Sequence, residues 1–219
     1  YIIQFVNSLF IAVYLGPFYL GIWGFISLII QYLGQTNFGI THSVTAIISI
    51  HKNKDFYVQK VIGTSITMIA GLSILAVTFF LANDFFHFNI GEKYHFSKYA
   101  PVVALIGVLG YFNALLSSIS RVYGQLFEIA FQQTALPVLM AIAIIFFKND
   151  ELLWALVGAN FLAYLLAFIL FLIRSPVKIK PIFNFRLFKT IQIKGWHLFV
   201  FNTSFFFIII STRSFVSDY

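Results

Sequence analysis

The sequence predicts an all-α fold, a polytopic membrane helix bundle of about seven transmembrane helices. Three observations carry that prediction. Hydrophobic residues make up 60% of the 219-residue chain and charged residues only 10%, with a mean hydropathy of +0.92. Soluble domains run near 25% charged, because charged side chains keep their surfaces wet. The apolar residues fall in runs long enough to cross a bilayer, which needs about 20 helical residues. Most Lys and Arg sit in the gaps between those runs, where membrane topology places them. Aromatics gather near the run ends, as in interfacial belts. The net charge of +7 is therefore no nucleic-acid signal. Without cysteine there is no disulfide framework, thiolate metal site or thiol redox chemistry.

The elements follow in order. Residues 1–16 read as the later part of a span whose start is missing; no basic n-region or small-residue cleavage site marks a signal peptide. Gly16-Pro17 breaks that helix, since proline disfavours the α conformation of the residue before it. The second run, 18–50, exceeds one crossing and carries Gly34, Gly39 and the polar Gln35-Thr36-Asn37, so a long helix with a kinked, partly polar end is expected. Residues 56–81, 99–119, 126–147, 152–173 and 196–215 complete the set. Pro101 falls in a first turn, where its missing N–H costs little, whereas Pro137 predicts a kink within the fifth run. The C-terminus, like the N-terminus, reads as cut.

Counting cations by side orients the bundle. One side holds Lys52, Lys54, Lys60, Arg121, Arg174, Lys178, Lys180, Arg186, Lys189 and Lys194; the other holds Lys93, Lys98, Lys148 and Arg213. Ten against four makes the first side cytoplasmic by the positive-inside rule, with the original N-terminus cytoplasmic as well.

Ionisable or strongly polar groups at membrane depth are the candidates for function, because they are costly there. Glu128 is the one carboxylate inside an expected span; it either faces an aqueous cavity or pairs with Arg121 about two turns away. His42 follows the polar stretch of the second run and, when protonated, suits an anionic head group, although a hydrogen-bonded packing role is the commoner fate of such a histidine. Arg213 is either a cavity cation using its bidentate fork or a side chain snorkelling to the interface. The basic run 174–194 attracts anionic lipid and sets orientation. His87 and His95 share a loop with Asp84 and Glu92 but lack a metal-ligand spacing, so no metal is expected. The sequon at Asn202-Thr203-Ser204 lies inside an apolar run, out of reach of a glycosyl donor. No phosphate-binding loop, dinucleotide fingerprint or catalytic triad pattern is present, and neither cofactor nor enzymatic activity is expected.

Three stretches, in order, resemble the polysaccharide (O-antigen, Wzx-type) flippases of the multidrug/oligosaccharidyl-lipid/polysaccharide exporter superfamily. Tyr14-Leu15-Gly16-Pro17 with Tyr19-Leu20-Gly21-Ile22-Trp23-Gly24 is similar to the link between that family's first two helices. Asn37-Phe38-Gly39-Ile40 looks like the element before its first basic loop, with Asn37 where the family has an acidic residue. Residues 211–217 resemble the outer end of the seventh helix, with Thr212 where an acidic residue precedes the arginine.

The resemblance implies two pseudo-symmetric bundles around a cavity. This chain would supply residues 1–174 as an N-terminal six-helix bundle, 175–194 as a basic cytoplasmic linker, and 195–219 as the first helix of a truncated second bundle. It implies alternating-access flipping of an undecaprenyl-pyrophosphate-linked oligosaccharide across the bacterial cytoplasmic membrane, with Asn37, His42, Arg121, Glu128 and Arg213 as cavity residues. Partners would be the lipid bilayer, the lipid-linked oligosaccharide, and a polysaccharide polymerase and glycosyltransferases. A drug/cation antiporter of the same superfamily needs buried carboxylates, and only Glu128 is available. An integral-membrane polysaccharide polymerase or acyltransferase needs a large catalytic outer loop, and the longest here is residues 82–98.

Overall fold

A computed structural model describes residues 2–86, 94, 96–177 and 180–217. His87, Glu92, Lys93, His95 and Lys178 lie outside the described residues, as do the side chains of Asp84, Asn202 and Arg213. The described residues fold as helices: α1 (Ile2–Gln35), α2 (Ile40–His51), α3 (Asp55–Phe86), α4 (Ala100–Val122), α5 (Leu126–Phe146), α6 (Asn149–Ile173) and α7 (Phe185–Ser217), with a 3₁₀ turn at Phe96–Lys98. No strand occurs among the described residues. Among the described residues five segments, Ile3–Gln35, Asp55–Ala82, Ala100–Val122, Leu126–Phe146 and Asp150–Ile173, are long and apolar enough to cross a membrane. Their large apolar side chains stay exposed in numbers no aqueous surface would carry, among them Phe5, Val13, Leu75, Phe79, Ile145 and Phe146. The chain is a multi-pass membrane protein.

Gly16 breaks α1 as the sequence predicts, with φ 68° and ψ 171°, a backbone region that only glycine occupies at no cost. The two legs run in opposite directions. Asn7 donates from Nδ2 to the Pro137 carbonyl at 2.8 Å and Tyr14 lies under the Lys148 ammonium, so the first leg tracks α5. Leu33 packs at Gly107 and Thr36 hydrogen-bonds the Tyr111 hydroxyl, so the second leg tracks α4. A helical hairpin thus replaces a single bent rod.

The second crossing departs from the expected continuous helix. It stops at Gln35, turns through residues 36–39 and restarts as α2. Phe38 and Gly39 both take positive φ (48° and 72°), which an α-helix cannot absorb. Asn37 holds the turn from both sides. Its Oδ1 accepts the Gly39 N–H at 3.0 Å, and its Nδ2 donates to the Gly34 carbonyl at 3.3 Å. Pro137 lies within α5, which is helical on both sides of it. α7 begins at Phe185, inside the stretch expected to be linker, because Leu187 and Ile191 bury against α2 and α3 and the Asn184 side chain accepts the Leu187 N–H at 3.1 Å.

Two apolar cores lie along α4. One gathers Val44, Ile48, Val61, Ile69, Leu115 and Phe171 with Ile191 of α7. The other joins α1, α5 and α6 through Ile26, Val103, Ile106, Ile144, Leu153 and Leu156. In lipid the apolar faces gain little by meeting each other, so packing and interhelical hydrogen bonds carry the association. Ser43 Oγ donates to the Ile191 carbonyl at 2.7 Å, and Asn113 Nδ2 to the Tyr164 carbonyl at 2.8 Å. The connections α2–α3 and α4–α5 and the end of α6 meet at one basic end. There Lys52 donates to the Val122 carbonyl at 3.1 Å and covers the Tyr123 ring, and Gln125 donates to the Arg174 carbonyl at 2.8 Å. Burial first, and the Asp55 carboxylate second, raise the Tyr123 phenol above its ordinary value.

Candidate functional site

A polar cavity of about 410 Å³ opens between α2, α4, α5 and α6. Its origin is a four-residue rhythm. Asn113, Ser117 and Arg121 succeed one another at i, i+4 and i+8 of α4, which stacks them on one helix face. Thr41 and His42 enter from the first turn of α2, Gln132, Gln133 and Leu136 from α5, and Ala163, Tyr164 and Ala167 from α6. The small residues at positions 163 and 167 leave the room that a larger side chain on α6 would fill. At 1.5 Å per residue, Asn113 lies about 12 Å deeper along α4 than Arg121.

The electrostatics are one-sided. No carboxylate lines the cavity among the described residues, and Arg121 has no carboxylate within ion-pair distance. His42 adds a second basic side chain, and α2 presents its N-terminal, partially positive end beside it. The remaining lining is hydroxyl and amide. Such a cavity can hold an anionic group at the Arg121 end and hydrogen-bond neutral hydroxyls deeper in.

Of the residues singled out from sequence, the structure brings two together here, His42 and Arg121. Asn37 instead forms the turn that ends the first half of the crossing and so sets where His42 enters. Glu128 is 2% exposed and outside the lining. Neither of the two sequence readings, an aqueous cavity or a pair with Arg121, is what forms. Arg174, at the end of α6, places its Nε 2.8 Å from Glu128 Oε1 and rests over the Phe127 ring. Arg121 is on the cavity face of α4, while the α6 terminus is tied to the α4–α5 connection by Gln125, which delivers Arg174 to the carboxylate. At Arg213 only helical backbone of α7 is described.

Thr41, Asn113, Ser117 and Tyr164 escape a search for charges in spans. The signal that finds Asn113 and Ser117 is the spacing Asn-x₃-Ser-x₃-Arg within an otherwise apolar helix, which places both on the arginine's face. No family model, curated protein or solved structure matches the chain.

Proposed function

We propose that this protein carries the polar head of a lipid-linked oligosaccharide across the bacterial cytoplasmic membrane by alternating access, the lipid tail remaining in the bilayer. The observation that carries the reading is the cavity, where Arg121 and His42 share a space with Asn113, Ser117, Gln132 and Gln133, and with no carboxylate among the described residues, inside a bundle of apolar helices. Dragging a pyrophosphate and sugars through hydrocarbon has a prohibitive desolvation cost, so a path needs basic groups for the phosphates and hydrogen-bonding groups for the sugars. A break in the second crossing, with a helix N-terminus at the cavity, is the arrangement by which membrane carriers meet anionic groups at depth.

The basic end is cytoplasmic on this reading, and the head group enters from that side. Arg121 neutralises the pyrophosphate, and His42 hydrogen-bonds it. Glycosyltransferases supply the loaded lipid carrier and a polysaccharide polymerase consumes it. Cation-coupled drug antiport is less well supported, because the buried Glu128 is held by Arg174 outside the cavity.

Complementation tests the proposal. Expression of the intact protein in a flippase-deficient strain restores surface polysaccharide, and Arg121→Glu abolishes the rescue at equal membrane abundance. Full rescue by Arg121→Glu contradicts it.

A further inference from the structure

Hydroxyls on these helices mostly close on their own backbone. Ser65 donates to the Val61 carbonyl, Ser73 to Ile69, Thr64 to Lys60 and Thr134 to Ala130, each at 2.8 Å, which leaves them no unmet need in an apolar setting. Asn113 behaves differently. It is fully buried at 0% exposure, it lines the cavity, and its Nδ2 donates to the Tyr164 carbonyl at 2.8 Å. That bond occupies Nδ2, and Oδ1 has no hydrogen-bond partner among the described residues. A buried amide carbonyl without a donor bears its full desolvation penalty.

What fills that position must donate a proton. Oδ1 is an acceptor only, so an ionised phosphate oxygen cannot satisfy it. Two turns along the same face, Arg121 asks for the opposite, an anion. A ligand that meets both carries an anionic group at one end and a hydroxyl donor within about 12 Å of it.

We propose that Asn113 is a specificity-determining residue of the cavity, its side-chain carbonyl accepting a hydrogen bond from a hydroxyl of the sugar next to the anionic group held by Arg121. The inference rests on the transport reading and adds to it the residue that tells a loaded lipid carrier from a bare one. A site built around a buried acceptor rejects an analogue lacking the matching hydroxyl, since the acceptor is then left unpaired.

The test compares two probes on the intact protein in detergent micelles, farnesyl pyrophosphate and farnesyl-pyrophosphoryl glucose, with affinity read from tryptophan fluorescence. The wild-type protein binds the glucosylated probe about tenfold more tightly than the bare pyrophosphate. In Asn113→Leu, which keeps the volume, and in Asn113→Ala, which removes it, the ratio falls to near one. A ratio unchanged in either folded variant, or a wild-type ratio of one, overturns the assignment of Asn113. Failure of both probes to bind the wild-type protein overturns the transport reading instead, an outcome the Asn113 variants cannot produce.

Discussion

Gly39 and Gly195 meet backbone to backbone at the level where the second crossing is broken. A Cβ on Gly195 would stand 2.7 Å from both the Gly39 carbonyl oxygen and Ser43 Oγ, and a Cβ on Gly39 would collide with the Gly195 carbonyl. Gly39 also needs its positive φ of 72° to start α2. The turn that sets His42 at the cavity is therefore also the surface on which α7 rests.

Gly195→Ala must push α7 off α2, because both neighbours are held: Gly39 by its own backbone and Ser43 by the bond to Ile191. The expected loss is about 2 kcal/mol of stability. Ser43→Ala removes the bond without the collision and costs about 1 kcal/mol. Thermal unfolding of the two variants in detergent checks the order.

Glu128 and Arg174 form an unequal pair, the carboxylate side chain 3% exposed and the arginine side chain 54%. Removing the exposed partner strands a buried charge, so Arg174→Ala costs about 3 kcal/mol. Glu128→Gln leaves a cation that water can reach, at a cost of about 1 kcal/mol. Unfolding midpoints in the reverse order would refute the pairing.

Asn7 pins the first leg of α1 to α5 through the Pro137 carbonyl. Asn7→Leu lowers stability by about 0.6 kcal/mol, the usual size of such a bond in a membrane bundle. Thermal unfolding in detergent checks the value, and a midpoint unchanged by Asn7→Leu contradicts the contact.

Lys180 is exposed, next to the basic end of α3 where its carbonyl packs against Gly63. A cysteine there is expected to react with a membrane-impermeant maleimide only after the cells are opened. Labelling of intact cells would reverse the orientation.

Much of the fold was legible from run length alone. Polarity and length do not distinguish helix from helix, yet six-to-seven runs with short gaps leave few arrangements, and Gly16-Pro17 announces its own hairpin. The break at 36–39 was legible as polarity and glycine but not as a stop, because it depends on Phe38 accepting a positive φ once Asn37 binds Gly39. The start of α7 was hidden because its first turns are basic, and only burial of Leu187 and Ile191 makes them helix rather than linker. At the site, charge leads to Arg121 and His42 but does not reveal Arg174 as the partner of Glu128. Which arginine reaches a carboxylate depends on how helices dock, and Arg174 is far away in sequence. Asn113 carries no charge that would single it out in sequence; its orphaned carbonyl is visible only in three dimensions.

The most direct measurement is flipping itself. In proteoliposomes containing a fluorescent prenyl-pyrophosphoryl sugar, the protein should make the inner-leaflet label accessible to an external quencher, and Arg121→Glu should remove that acceleration. Equal rates in protein-free vesicles, or full activity in Arg121→Glu, would contradict the account.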